Sequence, residues 1–524
     1  MRFGPPVSMA PPPKTKNPVR PVVTRSSKNP IVGVGKSASS SAIPQSTCDV
    51  KITPALQKML DSWGRELVNK VIACYDAWAV ARRGDVGAPR SSCALKTPGC
   101  VRVGTDCSGA EAPIWALRAM GIKHVHKFSC DWQKRVRDFI AAISPPEGPI
   151  FNNMLTRKMA DIPDVDLYVC GFPCTPFSLL RRHKTRLLKE KAAKPFHKLL
   201  KVLEDRTPAL AVLENVVGIE TVMQNVCKKL GKLGCYFVIV VNIDSEALGV
   251  PLKRPRYYFI LVRKDVAITK NTDSLASLGQ SIMIGCTQPV KGTVLDLLLP
   301  PQPTQAKQMR VERAALGDQC KWKARHAAFR KKCFLSPPTS FRDSDALGLK
   351  NPRQREMWQL LVNKHRGKTI IADVSQNIDR CSISTTGVCP TVRPRSILCI
   401  QAASRKVSPM DILAMHFFPV HRMKIPTTVK PETLQSLGGN TMHLKSVGLA
   451  MCMGLAMVKP SFGKGIGMSE EVGRSGGIRN VVFLDSVGEG NASAKRKVPE
   501  SRRVAGRRLP LKRRLGLVPP GSSR

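Results

Sequence analysis

Between residues 101 and 262, six short apolar runs (101–105, 125–130, 166–171, 209–216, 236–243 and 257–262) alternate with stretches of helical spacing. Short apolar runs bounded by turn signals read as buried strands, and their alternation with helices predicts β-α units around a mainly parallel sheet. Ligands of such a sheet collect beyond the carboxyl ends of its strands. The sharpest instance is 166–178, Asp-Leu-Tyr-Val-Cys-Gly-Phe-Pro-Cys-Thr-Pro-Phe-Ser, whose apolar run stops at Gly171. Pro173 and Pro176 then stiffen the turn and hold Cys174 at the sheet edge, a good place for a nucleophile.

The flanks of this α/β region differ in composition. Residues 1–50 read as a disordered basic arm, with no Asp or Glu before Cys48 and nine prolines in that stretch. Its Arg and Ser content also fits an organellar transit peptide, which sets mitochondrion or plastid beside the nucleus as a destination. In 51–98, Thr53-Pro54 is a helix start, and Leu56, Leu60, Trp63, Leu67, Val71 and Trp78 recur at helical spacing. That helix is expected to pack on the core domain, 99–263. From about 264 to 380 periodicity fades and basic residues crowd, so 264–437 reads as a smaller second region with a return segment. Gly438-Gly439-Asn440 is expected to open a helix through Met457, within 438–459, that completes the core. Residues 460–524 read as a disordered basic tail, and 495–514 carry ten basic residues against one Glu. A solvated nucleic-acid tail and a nuclear-import signal both explain that run.

Charge narrows the partners. With 84 Lys and Arg against 37 Asp and Glu, the net charge of +47 points to a polyanion, most simply nucleic acid, with a membrane surface as runner-up. No apolar run approaches the length of a transmembrane helix, so no membrane association is expected. The 17 cysteines are odd in number, which favours reduced thiols, and no C-x-x-C pair occurs, so no metal is expected.

Three constellations carry chemistry. Thr105 to Ala112, Thr-Asp-Cys-Ser-Gly-Ala-Glu-Ala, is a small-residue turn between a strand and a helix, and Asp131 follows Gly109 by 22 positions at the end of the next strand. Such a turn lets a nucleotide approach the backbone, and an acid at that distance suits ribose hydroxyls. Glu214, in Leu-Glu-Asn-Val, ends another strand and reaches the edge that holds Cys174. Arg254 and Arg256, two apart before the last strand, point the same way if that segment is extended, and guanidinium forks suit carbonyl or phosphate oxygens. Nucleophile, acid and arginine fork on the strand ends of one sheet define a site.

These residues resemble the cytosine-5 methyltransferase family, enzymes that use S-adenosylmethionine. The likeness covers roughly 100–263 and 380–458 and runs in the family's order. Gly171 to Ser178 resembles its nucleophile loop, Glu214-Asn215-Val216 its Glu-Asn-Val, Arg254-Pro-Arg256 its paired arginines, and Thr105 to Ala112 its cofactor turn. Gly439-Asn440 resembles its late helix start. The chain departs from the pattern at Cys107, Glu111, Ala112, Thr175 and Leu252.

The resemblance implies a Rossmann-like S-adenosylmethionine-dependent methyltransferase sheet with a smaller target-recognition domain. It implies Cys174 as the nucleophile, Glu214 at N3 of a flipped cytosine, and Arg256, with Arg254 supporting, on O2. The same resemblance places Cys107, Ser108, Gly109, Asp131, Trp132, Asp161, Ile162, Pro173 and Asn440 around the cofactor. Ser178, Arg181, Arg182 and Lys184, on a mobile loop, would meet DNA phosphates. The expected activity is that of a DNA cytosine-5 methyltransferase; a tRNA methylase on the same scaffold and a catalytically silent nucleic-acid-binding protein are the alternatives.

Overall fold

The computed structural model describes residues 50–82, 92–96, 99–173, 193–301, 319–460, 462 and 480–484. Cys174, Ser178, Arg181, Arg182 and Lys184, the arm 1–49 and the tail beyond 484 lie outside them.

One eight-stranded sheet organises the protein. Its strands are β1 (Val101–Asp106), β2 (His124–Cys130), β3 (Ile150–Phe151), β4 (Leu167–Cys170), β5 (Leu210–Val216), β6 (Tyr236–Ile243), β7 (Arg256–Arg263) and β12 (Val481–Phe483). In space they run β12-β6-β7-β5-β4-β1-β2-β3. All pairings are parallel except those of β7, which lies antiparallel between β5 and β6. The sheet is the expected Rossmann-like methyltransferase type, and the six strands read from sequence match within two residues at each end.

Alternation along each strand feeds two separate cores. In β4, Leu167 and Val169 face one side, and Tyr168 and Cys170 the other. The larger core takes α1 (Pro54–Ala81), α2 (Ala112–Met120) and α3 (Lys134–Ile143); the second takes α4 (Lys194–Arg206) and α5 (Met223–Gly231). Thr53 caps α1 by accepting from the Leu56 N–H at 3.2 Å, and Leu56, Leu60, Trp63, Leu67, Val71 and Trp78 are its buried stripe.

Two sequence expectations need correction. Residues 272–286 form α6 (Thr272–Cys286), which buries Leu275, Leu278, Ile282 and Cys286 in the large core against α1. Those four positions have helical spacing, so the boundary at 264 cuts into the main body. A distinct hydrophobic cluster starts later, around Leu347, Met357, Trp358, Leu361, Ala372 and Cys399. It joins α7 (Gln319–Cys333), α8 (Arg342–Ala346) and α9 (Pro352–Lys364) to a four-stranded sheet of β8 (Ile371–Asp373), β9 (Ile383–Ser384), β10 (Leu398–Ile400) and β11 (Arg405–Lys406).

The second correction concerns Gly438 to Asn440. After α10 (Pro409–Met415), these residues close α11 (Pro431–Asn440) rather than opening a helix. The chain breaks at 441–443 and resumes as α12 (Leu444–Ala456), buried on nearly every side against α1, α2, β5 and β7. Proximity, not propensity, selects glycine at 439: a Cβ there would lie 2.3 Å from the Arg393 carbonyl carbon and the Pro394 nitrogen. Gly439→Ala should therefore destabilise the protein by about 1–3 kcal/mol in chemical denaturation, as overpacking against backbone does.

Candidate active site

The carboxyl ends of β1, β2, β4 and β5 share one edge of the sheet, and the start of antiparallel β7 joins them there. Glu214 lies near the end of β5, and Arg256 opens β7. The Arg256 Nε donates to Glu214 Oε1 at 2.9 Å, with side chains 11% and 13% exposed. Burial pushes the Glu214 carboxyl above its usual range, and Arg256 and Arg254 offset part of that rise. The pair is thus a carboxyl able to keep its proton, oriented by a fixed guanidinium.

Gly171, three residues before Cys174 in the sequence, lies beside Glu214 of this pair. A Cβ on Gly171 would stand 3.5 Å from Glu214 Oε2 and 2.8 Å from the Met442 methyl, so a larger residue there would have to displace the Met442 side chain. Asn215, fully buried, donates its Nδ2 to the Phe172 carbonyl at 2.9 Å, while its Oδ1 accepts from the Val216 N–H at 2.9 Å. That amide pins the second residue after β4. In the sequence, the signal for this role of Asn215 is a polar residue ending an apolar strand. Pro173, next in line, is half-buried.

Arg254 corrects the expected fork. Its guanidinium is 2% exposed and donates to the carbonyls of Val392 at 3.0 Å, Gly439 at 3.2 Å and Thr441. The two arginines do not act as parallel arms: Arg256 engages the acid, while Arg254 holds backbone. A buried guanidinium follows the nearest carbonyls, which strand periodicity cannot show.

The turn after β1 forms the other half of the edge. Cys107, Gly109 and Glu111 all have positive φ, at 51°, 55° and 57°. The Ser108 N–H donates to the Cys130 carbonyl at 3.0 Å, and Ser108 Oγ accepts from the Cys130 N–H at 2.9 Å, so the turn is stitched to the end of β2. Asp131 accepts from the N–H groups of Gly109 at 3.3 Å and Gln133 at 2.9 Å. Trp132 is 76% exposed beside it. The neighbouring Cys170 and burial raise the Cys107 thiol well above its usual range.

Asp161 is exposed, whereas Ile162 is buried in the second core with Met154 and Cys130. Asn440 is exposed at the end of α11. Beneath the turn, Asp106 is buried with Arg157, whose Nη1 donates to it at 2.7 Å, and with the Tyr168 hydroxyl at 2.6 Å. Arg157→Leu would leave that carboxylate without its counter-charge. The variant should lose about 3–5 kcal/mol of stability in urea titration at neutral pH. The loss should shrink on acidification, when Asp106 takes up a proton.

Residues 107–421, more than half of the chain, match the model of C-5 cytosine-specific DNA methylase. The DNA (cytosine-5-)-methyltransferase DMT5 of Cryptococcus neoformans is 24% identical over 414 residues, covering 68% of this chain and 17% of that one. Its namesake in Verticillium dahliae is also 24% identical, covering 68% and 19%. The chain therefore spans less than a fifth of the length of these fungal relatives. The type II methyltransferase M.HaeII of Haemophilus aegyptius is 31% identical over 149 residues, 28% of this chain and 45% of that one. Among solved structures, the Dnmt2 methyltransferase of S. pombe is similar at 14% identity and a TM-score of 0.42, covering 67% of this chain and 97% of that one.

Proposed function

The chain belongs to the C-5 cytosine-specific DNA methylase family, and from that premise we propose that it is a DNA (cytosine-5-)-methyltransferase acting on a flipped cytosine with S-adenosylmethionine. The observation that carries the reading is the Glu214–Arg256 pair, 2.9 Å apart on neighbouring strand ends and abutting Gly171, three residues before Cys174.

The residues at the β1 turn fit the cofactor. An acid bound to the turn's own N–H suits ribose hydroxyls, and the uncovered Trp132 indole suits an adenine face. Cys107, Ser108, Gly109, Asp131, Trp132 and Asp161 would hold it, with Pro173 and Asn440 toward the methionine end. Bound there, S-adenosylmethionine supplies an electrophilic methyl group on a sulfonium.

The remaining chemistry belongs to the chain. C5 of cytosine is a poor nucleophile, so the Cys174 thiolate adds to C6 and turns C5 into an enamine-like carbon. Glu214, keeping its proton above the normal carboxyl range, serves N3 as charge builds on the ring. Arg256 holds Glu214 in place and offers its remaining N–H groups to O2. Once C5 has taken up the methyl group, a solvent base removes the C5 proton, and the C5–C6 double bond re-forms as the C6–S bond breaks and releases the Cys174 thiolate. Asn215 and Gly171 set where the thiol's loop leaves the sheet. Ser178, Arg181, Arg182 and Lys184, together with basic α7, fit phosphate contacts, and the lobe built on the third cluster fits target recognition.

Transfer of labelled methyl groups to DNA should be abolished by Cys174→Ser, and an oligonucleotide containing 5-fluorocytosine should trap a covalent complex at Cys174. Equal incorporation by both proteins would sink the nucleophile, and incorporation into tRNA alone would move the substrate. Glu214→Gln should lower kcat by roughly 10²-fold or more. In the wild type, the limb set by Glu214 should fall as pH rises through its elevated pKa, because the proton it supplies is then lost.

A further inference from the structure

Glu111 occupies a backbone conformation that favours glycine, yet its carboxyl is 1% exposed. A side chain there has to be retained for what it touches. It does not enter the crevice outside the sheet. Instead it turns inward, between β1 and β2, where both carboxyl oxygens lie within reach of Thr105 Oγ1, at 3.0 and 3.1 Å. Thr105 Oγ1 stands 2.7 Å from Ser108 Oγ, and Ser108 is stitched to both backbone groups of Cys130, immediately before Asp131. The Ser129 and Ser108 hydroxyls also act on the carboxyl, lowering its pKa against burial. One side chain thus connects the last turn of β1, the loop that follows it and the end of β2.

We propose that Glu111 is a positioning residue for S-adenosylmethionine: from beneath the turn its carboxyl locks Thr105 and Ser108, and through them the Gly109 N–H and Asp131, in the cofactor-receiving shape. This rests on the cofactor reading of that turn and adds to it the residue that holds the turn's form.

The carboxyl's surroundings make the role readable. Burial raises its pKa to about 8, against the hydroxyls of Ser129, Thr105 and Ser108, and the Asp131 charge adds to the rise. The other charged or titratable groups acting on it are His126 on β2, with Nε2 3.8 Å away, and Arg118 on α2. His126 is itself held neutral, its pKa pushed down to about 4 by burial. The folded state therefore holds a proton on Glu111 that the unfolded chain has released, so the network is intact below about pH 8 and weakens as pH rises through that value.

The experiment is the Kd of S-adenosylmethionine, by calorimetry on the full chain without DNA, from about pH 6.5 to about 9.5. The wild-type Kd should be flat at first and rise by up to about tenfold per unit above pH 8. Glu111→Gln, neutral and of the same shape, should stay within about threefold of wild type at neutral pH and lose the alkaline rise. Glu111→Gly, which relieves the backbone but removes the carboxyl, should weaken binding about tenfold or more at every pH, and Thr105→Val should do the same. Melting of the cofactor-free proteins identifies any variant that fails to fold, in which case the pH slopes of wild type and Glu111→Gln decide. Equal affinity and equal slope in wild type and Glu111→Gln, with Glu111→Gly unimpaired, would overturn the role. No binding by the wild type would overturn the cofactor reading, and this inference with it.

Discussion

The architecture of the site depends on one buried guanidinium. Arg254 bonds carbonyls of Val392, Gly439 and Thr441, residues 138, 185 and 187 positions later in the chain. Charged donors to neutral carbonyls are among the stronger hydrogen bonds a protein makes, and here three converge on one side chain away from water. They draw the return segment and the end of α11 against the start of β7. The same seam is extended by the paired bonds between Cys389 and residues 251 and 253, and by the contact that only Gly439 permits. The clasp adds to the pairing that β5 and β6 already give β7 from Arg256 onward. With it, Arg256 faces Glu214 from a fixed backbone.

The sheet edge gathers four carboxyls, and each is accommodated differently. Asp106 takes a full counter-charge from Arg157 and a phenol from Tyr168. Asp131 takes backbone N–H groups, those of Gly109 and Gln133. Glu214 takes Arg256 and leaves one side toward Gly171. Glu111 has hydroxyls and a neutral imidazole, and so keeps its proton to about pH 8. In all four burial pushes the pKa up, and what distinguishes them is the compensating partner. The two with ionic partners sit beside strand structure, while Glu111 and Asp131 hold a turn whose backbone must remain in the left-handed region. Carboxyls of one chemistry are thereby held in four different electrostatic settings.

Packing explains why this edge is rigid enough to matter. β4, β5 and β6 are buried on both faces, and α12 closes the larger core from behind β5 and β7 while touching α1 and α2. The small lobe keeps a cluster of its own around Trp358, while Ile371, Leu398 and Ile400 of its sheet join the larger core.

Much of this was written in local sequence. Strand periodicity, the turn residues at Gly109 and Gly171, and the order of Cys174, Glu214 and Arg256 specify a sheet with chemistry at its carboxyl edge, because buried strands and tight turns leave patterns within ten residues. The cap and stripe of α1 belong to the same class. What only the tertiary structure decided are contacts between distant segments: Arg254 turning from substrate fork to clasp, Asn215 pinning Phe172, α6 joining the main core, and residues 438–440 ending a helix. Glu111 shows the division most sharply. From sequence it is a misfit where a small residue was expected; in the fold, Thr105, Ser108 and Ser129 surround its carboxyl. No local pattern records that environment, because burial and hydrogen-bond partners are properties of the assembled sheet.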